Sequence, residues 1–397
     1  MEFMSYEDSL KILKDSIVKW DRVEKVAITQ ALDRHIAIDI IAKDNYPKHQ
    51  TSAMDGYAFK FQENIKELEL LTDLPAGSNN TITIKNNECI KTFTGSLITD
   101  GADTLIPIEN VKVEGKKVSI INPVKKGFAI RKIGESYKKD EILIKKGTKL
   151  GYADIALLAE LGVFHVSVFV KPKVAVLATG SEIKDLGEQL ENEAQIYSSN
   201  HIGIAMMVNK MGADAMICEI VKDKPELVKN SIINALKSAD ILITTGGVSV
   251  GDYDFVKTAL KDEFDVIING AFIKPGRHIK IAKNKEKYIF ALPGFPYSAM
   301  VMCVLYVRVL LNSWFLQDEP YIKAIMDEDY DKRSPFLEFT AVNLEYKNGN
   351  VYANLNGKKF GSSAIVNNLS NKAALLVVPK DTKTIQKGEI VDILLMV

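Results

Sequence analysis

The chain has 397 residues, 47% of them hydrophobic, which is more than one typical domain and enough apolar matter for real cores. Its 51 lysines and arginines balance 51 aspartates and glutamates. A net charge of zero gives no overall field to attract nucleic acid or an anionic membrane, so neither is expected as a partner and any anionic ligand must be caught by local groups.

In chain order, Met1 to Tyr6 leads straight into a charged segment, so no secretory leader is expected. Residues 5–19 place Leu10, Ile12, Leu13, Ile17 and Val18 at helical spacing behind a Ser5 cap. Val26 to Leu32 reads as a second short helix and His35 to Ile41 as a strand. Residues 48–130 hold short runs (Leu68–Leu71, Thr81–Ile84, Thr104–Ile108, Lys117–Ile121) separated by Asn, Gly and Asp, which predicts a small β domain. Lys145 to Leu161 predicts a helix with Ala153, Ala156, Leu157, Leu158 and Leu161 on its apolar face. From Lys171 the pattern alternates. Strands are expected at Val174–Leu177, Ala215–Ile220, Asp240–Thr244, Val266–Ile268 and Tyr288–Leu292, with helices at Asn200–Met211, Pro225–Lys237 and Phe255–Leu260. That alternation predicts a doubly wound, mostly parallel α/β domain. Tyr297 to Leu316 is apolar enough to span a membrane, yet Arg308, Asn312 and Ser313 favour a buried helix in a core or subunit interface. Beyond Pro320, strands at Leu337–Leu344, Val351–Leu355, Ala374–Val378 and Ile390–Leu395 predict a barrel-like C-terminal β domain. Cys89, Cys218 and Cys303 form no CxxC and the five histidines do not cluster, which argues against a disulfide framework or zinc site and fits a reducing, cytoplasmic setting.

Ligands of parallel α/β sheets sit beyond the carboxyl ends of the strands. Six loops of this domain carry candidate chemistry. In Thr179-Gly180-Ser181-Glu182, amides and hydroxyls can meet an oxyanion and Glu182 a metal or proton. Tyr197-Ser198-Ser199-Asn200 and Lys222-Asp223-Lys224-Pro225 precede helices, and simple capping explains either one alone. Thr244-Thr245-Gly246-Gly247-Val248-Ser249-Val250-Gly251 joins a buried strand to Asp252 and Asp254, a pattern that cradles phosphate and holds a divalent cation. Lys274-Pro275-Gly276-Arg277 sets two cations on a rigid turn. Pro293-Gly294-Phe295-Pro296-Tyr297-Ser298 opens the long apolar helix, whose first amides are expected to favour an anion. Acids and bases in one crevice suit a metal-bridged, phosphate-bearing ligand. Earlier in the chain, Asp55 sits on an Asp-Gly turn, which is also a common hairpin turn; Thr94-Gly95 and Ile130-Arg131…Gly134-Glu135 follow it.

Together these motifs resemble the molybdopterin molybdenumtransferases, the family that includes the E domain of gephyrin. The hallmark S-A-M-D-G-Y-A stands at 52–58, with T-G at 94–95, I-R-x-x-G-E at 130–135, T-G-S-E at 179–182, G-G-V-S-V-G at 246–251 and K-P-G at 274–276, in family order over essentially the whole chain. The resemblance implies four domains: an elongated one from 1–47 and 131–168, a small β domain at 48–130, an α/β molybdopterin-binding domain at 169–318 and a β domain at 319–397. It implies a homodimer with an active site shared between subunits, and insertion of molybdate into adenylylated molybdopterin with a divalent metal (Mg2+) and release of AMP. Asp55, Glu182, Asp223, Asp254 and Lys274 are then catalytic, and Asp55, Asp223 and Asp254 hold the metal. Thr94, Arg131, Thr179, Gly180, Ser181, Gly246, Gly247, Ser249, Gly251, Arg277, Pro293 and Ser298 contact substrate. A molybdopterin adenylyltransferase is the implied upstream partner.

The sequence departs from the family pattern at Phe295 in P-G-N-P, at Ser136 in place of an acid, and at Arg277 in place of a second lysine. Gly270 and Ala341 stand where cations are usual. Losing two cations from an oxyanion site makes a pterin-binding or scaffolding paralogue the alternative to an active enzyme.

Overall fold

A computed structural model describes residues 3–79, 82–246, 264–359 and 362–397. Its contacts divide into two units, one formed by Met1–Ile38 with Lys146–Val397 and the other by Asp39–Lys145.

In the first unit, Ile241–Thr245 is buried at every position and Lys173–Ala178 at all but its first, as expected of strands covered on both faces. They lie inside a six-stranded sheet ordered Asp214–Ile217, Lys173–Ala178, Ile241–Thr245, Tyr288–Leu292, Lys280–Lys283, Asp265–Asn269. The first four strands run parallel, and Lys280–Lys283 returns antiparallel to both its neighbours. Side chains alternate between faces. Val174, Val176, Ile241, Ile243 and Phe290 pack with Ile204 and Val208 of the helix Asn200–Lys210 and with Leu305 and Leu310 of the long apolar helix. Ala175, Leu177, Leu242, Ile289 and Ala291 pack instead with Val228, Ile232 and Leu236 of the helix Pro225–Ser238. The expected helix at 255–260 lies outside the described residues.

The long helix runs through Pro296–Met302, a π-turn at Cys303–Val307 and Arg308–Phe315. Some 83% of its most apolar window is buried, so it is a core element as its polar residues suggest. Arg308 donates to Glu319 at 2.9 Å and to the Leu395 carbonyl at 2.6 Å, tying the helix to the C-terminal barrel. That barrel closes on five strands, in the order Leu337–Lys347, Asn350–Asn354, Tyr321–Met326, Ile390–Leu395, Ala374–Val378 and back to the first. A two-residue strand, Ile273–Lys274, adds to it in parallel against Leu337–Glu338.

The N-terminal helix is Tyr6–Asp15, with the Ser5 hydroxyl accepting the Asp8 amide at 3.0 Å. The expected helix at 26–32 is not formed. Val23–Ala27 is instead a strand antiparallel to His165–Phe169, followed by one 3₁₀ turn at Ile28–Gln30. The pairing partner lies far along the chain, so local spacing could not reveal it. The helix expected from Lys145 is shorter, Tyr152–Glu160. In the second unit, Thr104–Pro107, Gly56–Phe59, Glu88–Thr92, Glu67–Leu74, Lys117–Ile120 and Val111–Glu114 form a six-stranded sheet in that order. The strand expected at Thr81–Ile84 reduces, in its described part, to a bridge between Thr83 and Asp100.

Leu305 is fully buried where the long helix meets the sheet. Leu305→Ala is expected to cost about 2–5 kcal/mol of unfolding free energy by transfer loss plus cavity, read as a lower denaturation midpoint.

Candidate functional site

The carboxyl ends of the parallel strands form the first part of the site. Registers Ala178 to Thr245 and Thr245 to Leu292 bring three strand ends level. Thr179 donates its amide to the Thr245 carbonyl at 3.0 Å, and Gly180 to the Val221 carbonyl at 3.1 Å. These two amides, expected to face an oxyanion, are therefore spent extending the sheet. The Thr179 hydroxyl remains, buried and without a partner among the described residues, as do Thr244 Oγ1, Asn200 Oδ1 and Asp223 Oδ1. Gly246 has φ of +91°, and a Cβ there would lie 2.5 Å from the Thr179 carbonyl oxygen, so only glycine fits the turn. The Asn200 amide donates to the Gly294 carbonyl at 2.6 Å and pins the 292–296 loop. Around these residues lies a cleft of about 450 Å³, lined by Thr179, Glu182, Ser198, Asn200, Thr245, Gly246 and Phe295 among others.

Asp223 is the charged centre of this edge. Burial, then the neighbouring Glu182 charge, raises its pKa above the ordinary carboxylate range. Among the described residues no group of three or more His, Cys, Asp or Glu is placed to hold a metal. The Asp223–Glu182 pair, with an unpaired buried oxygen, still fits a hard cation that takes oxygen ligands. Gly247, Ser249, Gly251, Asp252 and Asp254 lie outside the described residues.

The second part is basic. Lys274, Pro275, Arg277, His278, Pro293, Phe295, Ser298 and Ser363 line a cleft of about 380 Å³. The amides expected to draw an anion to the helix start at Pro296 are not free: those of Tyr297 and Ser298 both donate to the Ser363 carbonyl, at 3.1 and 3.4 Å. Positive charge, rather than that helix end, is what this cleft offers. Arg277 Nε donates to His278 Nε2 at 3.0 Å, and burial followed by the Arg277 and Lys280 charges lowers the His278 pKa. A smaller pocket of about 90 Å³ adjoins, lined by Lys274, Arg333, Glu338, Ala341, Lys358, Lys359 and Ser362 among others. Sequence reading missed His278, Glu338 and Lys358, since none stands in a recognisable motif.

In the second unit, motifs far apart in sequence meet. Thr94 donates its amide and hydroxyl to Asp55 Oδ1 at 2.8 and 2.9 Å, and these two bonds, the amide first, hold the exposed Asp55 carboxyl below its ordinary pKa. Ser52 exchanges backbone bonds with Gly95 and Ser96, both at 2.9 Å. Arg131 pairs in register with Thr51 and contacts Glu135 at 3.2 Å and Ser136 at 2.9 Å. The serine at 136 thus still partners the arginine.

A doubly wound sheet with an acidic, hydroxyl-lined carboxyl edge, joined to a closed barrel through a lysine-bearing strand, defines a multidomain α/β protein with polar, charged clefts. Three family patterns match it end to end: the MoeA N-terminal region (domain I and II) at residues 4–162, a probable molybdopterin binding domain at 175–313, and the MoeA C-terminal region (domain IV) at 323–396. A molybdopterin molybdenumtransferase of Bacillus subtilis (strain 168) is 30% identical over 95% of this chain and 91% of its own length. One from Staphylococcus epidermidis is 29% identical over 99% and 95%. The crystal structure of the molybdopterin biosynthesis moeA protein from Pyrococcus horikoshii OT3 matches with a TM-score of 0.84 and 30% identity, covering 99% of this chain and all of that one. The chain belongs to the molybdopterin molybdenumtransferase family, enzymes of molybdenum cofactor biosynthesis.

The raised pKa of Asp223 sets a sign. A carboxyl whose folded pKa exceeds its unfolded one favours the fold below the unfolded pKa, and that contribution is lost as pH rises through the folded pKa. Asp223→Asn is therefore expected to leave the melting temperature at pH 7 equal to or above wild type while lowering turnover about 100-fold or more. A melting temperature well below wild type would assign Asp223 to the fold.

Proposed function

We propose that this enzyme inserts molybdate into adenylylated molybdopterin, cleaving the adenylyl bond and releasing AMP, in a cytoplasmic setting. The observation that carries the reading is the adjacency of two unlike clefts that share Phe295. One is acidic and rich in hydroxyls, with unpaired buried oxygens; the other holds Lys274 and Arg277 on one turn. A pterin phosphate with its nucleotide suits the first, and a small dianion suits the second, where charge-assisted bonds are strong. The names of the Bacillus and Staphylococcus relatives support the same transfer.

In this reading Lys274 and Arg277 hold the anion and Ser298 lines its cleft. The Thr179 and Thr244 hydroxyls and the Asn200 side-chain carbonyl, partnerless in the cleft wall or just behind it, orient the pterin. Asp223 and Glu182, together with Asp254 and Asp55 as the resemblance implies, would hold Mg2+, which when bound would offset phosphate charge at the bond being cleaved. Asp55, fixed by Thr94, stays ionised at neutral pH. A homodimer and an upstream molybdopterin adenylyltransferase, which must supply the adenylylated substrate, belong to the same proposal.

The deciding experiment mixes purified protein, adenylylated molybdopterin, magnesium and molybdate. Release of AMP with formation of active cofactor is expected. Tight pterin binding without AMP would favour the pterin-binding or scaffolding alternative, to which Gly270 and Ala341 lend weight.

Two variants sharpen the reading. Lys274→Ala is expected to weaken molybdate binding about tenfold or more in calorimetry, with the melting temperature lowered only modestly, because Glu338 keeps its Tyr330, Thr340 and Ser334 donors. Asp55→Asn chains mixed with Asp223→Asn chains are expected to recover at most roughly a quarter of wild-type activity, as random exchange of subunits in a dimer predicts. A monomer in light scattering would remove the homodimer from the proposal.

A further inference from the structure

We propose that Glu338 is a positioning residue, which from the wall of the barrel holds the Lys274 ammonium at the edge shared by the two basic clefts. The inference rests on the reading of Lys274 as an anion-binding residue.

Three observations carry it. First, the parallel ladder between Ile273–Lys274 and Leu337–Glu338 sets Lys274 directly beside Glu338, with Nζ 3.2 Å from Oε1. Second, Glu338 is only 4% exposed, yet its carboxylate is fully partnered. Oε1 accepts from Tyr330 at 2.8 Å, from Thr340 at 3.2 Å and from Lys274, and Oε2 accepts from Ser334 at 2.7 Å. A buried carboxylate is tolerable only with such partners, and they leave it no freedom to move. Third, the Lys274 side chain keeps 41% of its surface exposed and lines both the Arg277 cleft and the small pocket bearing Lys358 and Lys359.

The ammonium therefore has one donor committed to a fixed carboxylate, on a side chain that still lines both clefts. A free lysine would have to give up rotamer freedom each time an anion arrived; a tethered one has done so beforehand. The negative charge also works against the anion, so Glu338 does not serve simple affinity. Its benefit is placement, which acts on the chemical step. The rival role is mechanical, a peg joining the barrel to the α/β half.

The test is a double-mutant cycle on the full-length protein, with AMP release, molybdate calorimetry and thermal melting as readouts. Glu338→Gln keeps the shape and removes the charge. Expected are molybdate affinity equal to or above wild type and kcat lower by about tenfold or more. The Lys274→Ala/Glu338→Gln double variant should be no slower than Lys274→Ala alone, because Glu338 acts through Lys274. Should Glu338→Gln fold poorly, Ser334→Ala and Tyr330→Phe each remove one donor to Glu338. Each should lower kcat about twofold or more in the wild-type background and have no effect beside Lys274→Ala. Multiplying losses, or an unchanged kcat in Glu338→Gln, would overturn the proposal and leave Glu338 as a peg. An inert Lys274→Ala would instead remove the anion-binding role of Lys274, and this inference with it.

Discussion

Burial of the parallel strands on both faces is the constraint on which the rest depends. Every side chain of Ile241–Thr245 and Tyr288–Leu292 is enclosed, and every backbone group inside the sheet has a neighbour to bond. A ligand can then reach these strands only at their ends. The polar consequence is visible there. Of nine buried side-chain atoms without a hydrogen-bond partner among the described residues, four belong to Thr179, Asn200, Asp223 and Thr244. Each such atom costs about 1–3 kcal/mol if left unpaired. Concentrating that cost at one edge makes sense when a ligand satisfies the atoms in turn.

How much of this was legible in the sequence follows from which interactions are local. The α/β strands carry their own signal, since a strand buried on both faces is an apolar run whatever it pairs with. Lys280–Lys283 gives little signal because lysines flank only two buried residues, Ile281 and Ala282, and its place is set by pairing with Asp265–Asn269 and Tyr288–Leu292. Val26–Leu32 reads as helix because the strand Val23–Ala27 that overlaps it is mostly exposed and gains its shape from His165–Phe169. The site divides in the same way. Asp55, Asp223 and Lys274 stand beside glycine or proline and announce themselves. Glu338 and Lys358 lie in ordinary-looking stretches; the ladder of Ile273–Lys274 on the barrel sets Glu338 beside Lys274, and Lys358 lines the same pocket. Backbone use was also invisible. The amides of Thr179, Gly180, Tyr297 and Ser298 looked available for anions and are occupied by carbonyls.

The two missing cations have different physical accounts. Gly270 adopts φ of +105°, and a Cβ there would fall 2.4 Å from the Phe3 ring. The Phe3 ring in turn packs edge-on to His278 at 5.4 Å. The N-terminal aromatic thus excludes any side chain at 270, and a cation cannot return there without displacing it. Ala341 is buried in a barrel strand, its amide donating to Tyr297 Oη at 2.9 Å. Its pocket nonetheless includes Lys358, Lys359 and Arg333. Burial pushes the Lys358 pKa down, while its ammonium donates to the Asn368 carbonyl at 2.7 Å. Cationic side chains thus still line this pocket despite Ala341.

The acidic edge poses the converse problem. Asp223 and Glu182 are like charges in a partly buried place, and burial and the Glu182 charge both add to the penalty on an ionised Asp223. A proton would relieve it by abolishing the charge, and with it any grip on a cation. A divalent cation relieves it while keeping both carboxylates ionised, and it supplies a partner for the bare Oδ1. A fold selected for stability alone would place asparagine at 223, which avoids the burial of charge. An aspartate with a bare buried Oδ1 beside Glu182 suits a group that handles charge, as a cation ligand or an acid–base, better than one that serves the fold alone.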